Sequence, residues 1–457
     1  MEASRSDAIV VFGVTGDLVH KEIFPALHGM VRDEGLDVPI VGVARSDWTQ
    51  EQLKARAKDS LEKAGVYDKK TFTKLAELLE YVRGDYGDPN TCGKLFVALN
   101  GARRPLLYMA IPPSVFPVVT EALSSAGCTE DARVVIEKPF GRDLSSAQSL
   151  NRTLREHFPE SAIFRIDHYL GKEPVQNITY TRFANPVLEP IWNRDHIRSI
   201  QITMAEDFGV KTRGSFYEEA GAIRDVVQNH LLQLMAILMM DPPGGNRADA
   251  MRDEKSRLLE AVMPLRPEHL VRGQYRGYRS AEGVAPDSDV ETYAALKLTV
   301  DNWRWAGVPI YIRTGKMLEL TATEAFIELK RPPCEVFGEL VSPASSHVRM
   351  RISPEVVIAL GMRVKVPGER MIGRDVELTV TSASPESKPA YQRLLSDAMR
   401  GVHELFARED GVEASWRIVD PVGGGVTPLY PYDPGGWGPA EAENLIGADG
   451  PWIDPRG

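Results

Sequence analysis

Cysteine is scarce in this chain: Cys92, Cys128 and Cys334 stand far apart, and no CxxC pair occurs. That spacing offers neither a zinc site nor a disulfide framework, so no metal is expected and a reducing, cytoplasmic setting fits. Positive charge is not in excess either. Lys and Arg number 54 against 64 Asp and Glu, a net charge of −10. A nucleic acid polymer, whose phosphates would repel such a surface, is not an expected partner. Long apolar runs are missing too. The longest, Leu231 to Met240, is about half of what a bilayer requires and reads as a buried helix. The N-terminus, Met-Glu-Ala-Ser-Arg-Ser-Asp, has no apolar signal core, so no membrane association is expected.

What is present is the balance of a soluble enzyme, 43% hydrophobic and 26% charged over 457 residues, too long for one ordinary core. The first third alternates in the manner of parallel sheets. Ala8 to Gly13, Pro39 to Ala44, Pro105 to Ala110 and Arg133 to Glu137 read as buried strands, with helical patterns between them. This predicts a Rossmann-like, doubly wound α/β domain. After about residue 180 the pattern changes. Strands are expected at Ile197 to Met204, Tyr293 to Val300, Ile310 to Arg313, Ala325 to Leu329, His347 to Ile352, Val356 to Ala359 and Val376 to Thr381. Few long helices separate the later ones, which predicts a larger α+β domain with a mainly antiparallel sheet. The boundary is placed at Asn177, giving domains 1–177 and 178–457. The stretches Pro421 to Gly425 and Asp433 to Gly438 read as surface loop.

Five clusters carry chemistry. Gly13-Val14-Thr15-Gly16-Asp17-Leu18 lies where the first strand meets the first helix. Glycines there admit a pyrophosphate to the backbone, and the helix N-terminus offers free N–H groups. The run is not G-x-G-x-x-G, and Val19 holds the place where a small third residue usually allows close packing. The second strand ends in Ala44-Arg45-Ser46. A guanidinium fork with a neighbouring hydroxyl suits the 2′-phosphate of NADP, against the plainer reading of an exposed surface arginine. Glu137-Lys138-Pro139-Phe140-Gly141 closes another strand and aims Lys138 at the ligand crevice, or is a loop lysine beside a structural proline. In Arg165 to Glu173, His168 and Lys172 can share one anion with Tyr169 as a third donor, and Asp167 can orient an imidazole; a solvated turn is the alternative. Finally, Asp225, Asn229 and Gln233 form an i, i+4, i+8 stripe in an apolar helix with His230 on its flank. Buried polar groups there need partners, and the choice lies between a catalytic histidine and a satisfied core histidine.

These pieces, in this order, resemble the glucose-6-phosphate dehydrogenase family. The likeness runs from Gly13 through Glu137 to Gly141, Arg165 to Glu173 and Arg224 to Leu231. It continues through Trp305 to Pro309, Gly315-Lys316 and Leu405 to Asp410. The resemblance implies carbohydrate metabolism and the pentose phosphate pathway. It implies that His230 is the general base, taking the C1 hydroxyl proton as hydride leaves C1 for the nicotinamide, and that Asp167 orients and stabilises the imidazole. It implies that His168, Tyr169 and Lys172 hold a sugar phosphate, and that Lys138, Glu206, Asp225 and Lys316 contact sugar hydroxyls. Gly13, Thr15, Gly16, Asp17, Leu18, Arg45 and Ser46, with Lys138, would bind NADP, with NAD possible. A homodimer or homotetramer built through the second domain's sheet is implied as well.

Two departures stand out. The family commonly has a lysine where this chain has Glu22, and a Lys or Arg where it has Thr321. Both positions lie near the sugar phosphate in the family, so the chain is two cations short in one neighbourhood. Three readings follow: an NADP-linked dehydrogenase of glucose 6-phosphate, a relative acting on another phosphorylated sugar or a nucleotide's ribose, or a non-catalytic dinucleotide-binding regulator. Asp167 and His230 speak against the third, because a binder has no use for a paired base.

Overall fold

Six short strands alternate with helices in the first part of the computed structural model, which describes residues 5–245, 247, 249–334, 336–337, 346–382 and 388–456. They are β1 (Ala8–Phe12), β2 (Ile40–Ala44), β3 (Leu79–Arg83), β4 (Pro105–Met109), β5 (Arg133–Glu137) and β6 (Ile163–Ile166). All pair in parallel, in the order β3-β2-β1-β4-β5-β6. That order reverses direction between β1 and β4, the place where such sheets open a crevice at their carboxyl ends. The intervening helices start where the sequence tells them to. Thr49 caps Gln50–Lys63 with Gln52 in a capping box, Asp68 caps Lys69–Leu78, and Asp143 caps Leu144–His157. β3 was not expected, for only Leu79 and Val82 of its five residues are buried at the sheet's edge.

The chain forms two compact units. The first takes in Met1–Lys172, and the chain re-enters it twice, at Gly244–Arg252 and Ser387–Glu413. The second comprises Glu173–Pro243, Asp253–Glu386 and Ala414–Gly457. The late return has a clear cause. The helix Ala390–Arg400 buries Tyr391, Leu394, Leu395, Ala398 and Met399, and these join the core formed by Ile23, Leu27, Met30 and Phe164. At roughly 25 cal/mol per Å2 of apolar surface, such a face cannot be left in water. Gln392 approaches helix Phe24–Glu34 closely at Gly29, where a Cβ would stand 2.1 Å from its Oε1, so a larger residue there would have to displace the Gln392 amide.

The second unit is built on one nine-stranded sheet. Its strands are β7 (Ile197–Ala205), β8 (Leu270–Tyr275), β9 (Tyr293–Leu298), β10 (Ile310–Gly315), β11 (Ala322–Leu329), β12 (His347–Ser353), β13 (Val356–Lys365), β14 (Gly373–Ser382) and β15 (Leu429–Tyr432). The order is β14-β13-β12-β11-β7-β10-β9-β8-β15. Most neighbours are antiparallel, but β7 with β10 and β8 with β15 run parallel. β13 and β14 are longer than the apolar runs that announced them, because their outer residues face solvent. β15 lies between the two Pro/Gly-rich stretches of the tail. One side of this unit carries a core rich in tyrosine, with Tyr217, Tyr275, Tyr278, Tyr293, Tyr311 and Tyr432 packed around Leu318 and Trp452. Among the described residues, no helix is long and apolar enough to cross a membrane.

Candidate active site

Where β1 ends in the first unit, Gly13 turns the chain with φ +76°, and a Cβ there would meet the Ala110 carbonyl oxygen at 2.2 Å. Only glycine tolerates both the conformation and the approach. Gly16, whose N–H donates to the Gly13 carbonyl, is exposed. The helix then opens at Asp17, and its first full turn is a π segment, Val19–Ile23, with Val19 fully buried. A wider turn thus stands where the expected small residue is absent. The Thr15 and Ser46 hydroxyls lie 3.1 Å apart, joining the ends of β1 and β2. The Arg45 side chain is 70% exposed, with Asp85 at 4.0 Å and the Tyr86 ring 5.9 Å beneath it. Asp17 reaches Arg56, at 3.5 Å. A glycine cradle at a helix N-terminus, two hydroxyls and an accessible guanidinium fit a dinucleotide carrying phosphates.

Lys138 follows β5, and its bond to Pro139 is cis. The next strand, β6, leads into the turn that holds Asp167, His168, Tyr169 and Lys172. Asp167 is buried and fixes this turn itself: its Oδ1 accepts from the Tyr169 N–H at 3.0 Å, and its carbonyl accepts from the Leu170 N–H. The Lys172 ammonium rests 4.0 Å from the centre of the Tyr169 ring, and the His168 imidazole lies parallel to the Tyr391 ring at 6.2 Å. The turn therefore gathers His168, Tyr169 and Lys172. Arg165 does something else. It is wholly buried, paired with Glu160 at 2.6 Å and bonded to Asn151, so it is structural. Glu22 lies in the same unit on the π segment. Lys21 and Lys172 favour its charged form, yet desolvation outweighs them and raises its pKa. Glu22 is still an exposed residue, so that rise carries little energy.

In the second unit the helical stretch 214–239 breaks at Gly221 (φ 63°) and contains a π segment, Ile223–Leu231. Asp225, Asn229 and His230 all lie on this segment, and Asn229 and His230 are buried. The His230 backbone N–H donates to Asn229 Oδ1 at 2.6 Å. Glu206 follows β7 and Lys316 follows β10, side by side because these strands are parallel with Ala205 opposite Gly315. Lys316 Nζ meets Glu206 Oε2 at 2.5 Å, and the ammonium lies 5.1 Å from the Tyr217 ring and 5.3 Å from that of Phe208. Tyr217 is buried, so its hydroxyl stays protonated, and the nearby charges of Asp225, Glu206 and Glu291 reinforce that. Glu206, Asp225 and Lys316 thus surround one tyrosine. Thr321 Oγ1 donates to Asp207 Oδ1 at 2.5 Å and accepts from the Asp207 N–H, so it is tied beside Glu206.

Comparison with known proteins gives this arrangement its family. Residues 10–177 match the model for the glucose-6-phosphate dehydrogenase NAD-binding domain, and residues 179–453 match that for the C-terminal domain of the same enzyme. The chain belongs to the glucose-6-phosphate dehydrogenase family. It is 44% identical over 460 residues to glucose-6-phosphate 1-dehydrogenase 1 of Mycobacterium tuberculosis, covering 99% of this chain and 98% of that protein. The Mycobacterium avium glucose-6-phosphate 1-dehydrogenase crystal structure superposes with a TM-score of 0.93, at 44% identity and 99% coverage of both chains. A glucose-6-phosphate dehydrogenase solved in complex with glucose 6-phosphate superposes at 0.90, with 33% identity and full coverage of both. As a member of this family the chain is an oxidoreductase acting on a CH–OH group with a nicotinamide coenzyme. Sequence reasoning missed Tyr86, Phe208, Tyr217 and Tyr391. An aromatic side chain at such spacing reads as core, and nothing local says that a charged group will rest on it.

Proposed function

We propose that this chain is an NADP-dependent glucose-6-phosphate 1-dehydrogenase. Residues 1–177 serve as its dinucleotide-binding domain, and residues 178–457 as its substrate-binding and dimerisation domain. The observation that carries the reading is the trio Glu206, Asp225 and Lys316 around Tyr217, a set of donors and acceptors suited to sugar hydroxyls. Gly13, Thr15, Gly16, Asp17 and Leu18 would hold the pyrophosphate, Arg45 and Ser46 the 2′-phosphate, and Lys138 would reach both ligands. The bound nicotinamide supplies the hydride acceptor. His230 takes the proton of the C1 hydroxyl, and Asp167 is its orienting carboxylate, so the charge developing on the imidazole is offset. His168, Tyr169 and Lys172 grip the phosphate and so hold C1 in place from the far end of the sugar. The proposed setting is the cytoplasm, and the proposed assembly a homodimer or homotetramer through the nine-stranded sheet.

A second reading has its own support. Glu22 places a carboxylate near Lys172, one of the proposed phosphate ligands, and Thr321 is tied to Asp207, so a different phosphorylated sugar or a nucleotide's ribose is the competing substrate. The deciding experiment follows absorbance of the reduced nicotinamide with a panel of sugar phosphates and nucleotides, each with NADP and with NAD. A kcat/KM for glucose 6-phosphate below roughly 10^2 M−1 s−1, far under the usual range for an enzyme on its own substrate, rejects the first reading in favour of the second.

A further inference from the structure

Glu137 is a buried titratable group to which the mechanism above gives no task. It is the last residue of β5, immediately before Lys138. Tyr108 of β4 donates its hydroxyl hydrogen to Glu137 Oε1. Tyr391, from the helix that returns to this unit late in the chain, bonds to the same carboxyl through its own hydroxyl. Tyr108 is wholly covered and Tyr391 nearly so. Glu137 retains some exposed surface as a residue, but its carboxyl is the end held between these two rings. Burial raises both tyrosine pKa values far above the ordinary value, so each hydroxyl keeps its hydrogen and donates. The face of Tyr391 lies parallel to the His168 imidazole, 13° from coplanar.

We propose that Glu137 is a positioning residue: its carboxylate orients the Tyr391 hydroxyl, the Tyr391 ring backs the His168 imidazole, and the charge on Glu137 thereby sets how firmly the substrate's phosphate is held. This rests on the reading of His168 as a phosphate ligand. A carboxylate accepts from both tyrosines at once. A protonated carboxyl has a hydrogen of its own to place between two donors, so one tyrosine bond must turn or break. The groups facing Glu137 are Tyr108 from β4, Tyr391 from the returning helix, Lys138 from its own strand end and Asp167 from the turn after β6. Glu22 acts on the two tyrosines from the π segment. Lys138 and the tyrosine donors favour the carboxylate, whereas burial and Asp167 oppose it, and the balance pushes the pKa up to about 7. Grip on the phosphate should therefore weaken as pH falls below 7.

The test measures KM and kcat against pH for glucose 6-phosphate, for glucose 6-sulfate, whose charge stays constant over the range, and for glucose, which has no phosphate. Glu137→Gln is expected to raise KM for both anionic substrates about tenfold, the worth of one charge-assisted hydrogen bond, with kcat within twofold. It should abolish the inflection near pH 7 seen with glucose 6-sulfate and leave kcat/KM for glucose unchanged. Tyr391→Phe should reproduce the loss of inflection. If Glu137→Gln does not fold, the native profile and Tyr391→Phe decide by themselves: the inflection must be present in the first and missing in the second. An unchanged KM, a lower KM (carboxylate repulsion outweighing the tyrosine bonds) or an equal loss on glucose overturns the proposal. His168→Ala separates the two layers. If it leaves KM for glucose 6-phosphate unchanged, the phosphate reading itself fails; if it raises KM while Glu137→Gln does not, only the present inference fails.

Discussion

Glu137→Gln should also make the protein harder to unfold at alkaline pH, although it loosens the hold on substrate. The carboxyl's pKa is raised from 4.5 to about 7 in the folded chain, chiefly by burial. A raised carboxyl binds its proton more tightly in the folded state than in the unfolded one. Stability therefore falls as pH rises from 4.5 through 7, and above 7 the full penalty is present. The gap corresponds to roughly 3 kcal/mol at 1.36 kcal/mol per pH unit. Glutamine mimics the neutral acid, since its carbonyl accepts from one tyrosine while its amide N–H donates to the other oxygen. The gain at pH 8 should be about 2–3 kcal/mol after imperfect rebonding. For a domain of this size that is a rise of roughly 5 °C or more in melting temperature. Paired thermal melts of native and variant protein at pH 5, 6, 7 and 8 read it directly. The two curves should nearly coincide at pH 5 and separate progressively to pH 8. A constant offset at every pH, or a variant less stable at pH 8, would refute the argument that a buried charge is being removed.

The remaining predictions concern the proposed site. His230→Asn should leave coenzyme affinity, measured by fluorescence titration, nearly intact and lower kcat by roughly two to four orders of magnitude; near-normal turnover would remove His230 from the mechanism. Arg45→Ala should raise KM for NADP by at least about tenfold, as expected for lost charge-assisted bonds to phosphate, and change KM for NAD little. Equal effects on the two coenzymes would make Arg45 a surface residue held by Asp85. Glu22→Lys with Thr321→Lys should lower KM for glucose 6-phosphate, because cations replace a carboxylate and a hydroxyl. An enzyme with another native substrate would lose activity on that substrate instead.

Much of the first unit was legible because its strands are buried on both faces. AIVVF, IVGVA and PLLYM leave little choice but a parallel sheet. LEYVR gave no such signal, since an edge strand with two buried residues looks like any mixed segment. In the second unit β8, LVRGQY, hides an interior strand behind a polar sequence. Its Arg272 is buried because Glu291 pairs with it at 3.2 Å, from a segment nineteen residues later. The helix Ala390–Arg400 buries an apolar face, but periodicity says that a face is covered and not by what. Its return to the first unit, and with it the place of Tyr391 beside Glu137 and His168, is a tertiary fact. The π segments are a further case. The difference between an i→i+4 and an i→i+5 turn lies in backbone bonding that no residue type in Ile223–Leu231 prescribes.

The residues proposed to meet the sugar illustrate why a mainly antiparallel sheet contains one parallel pair at its middle. Two antiparallel neighbours send their carboxyl ends to opposite edges of a sheet, so residues that follow them stand a strand's length apart. β7 and β10 are parallel in register, with Ala205 opposite Gly315, and the residues that follow, Glu206 and Lys316, emerge at the same edge in contact. β11 is antiparallel to β7 with Ala322 opposite Ala205, so it is its beginning that reaches this edge. Thr321, the residue before it, consequently falls beside Asp207. A buried ammonium such as that of Lys316 is tolerated only with a close carboxylate and polarisable surroundings, here Glu206 and the faces of Tyr217 and Phe208. The strand directions therefore decide which positions can exchange charge. Substituting Thr321 by a cation would place it at this same edge, next to an existing carboxylate, and not at an unrelated point on the surface.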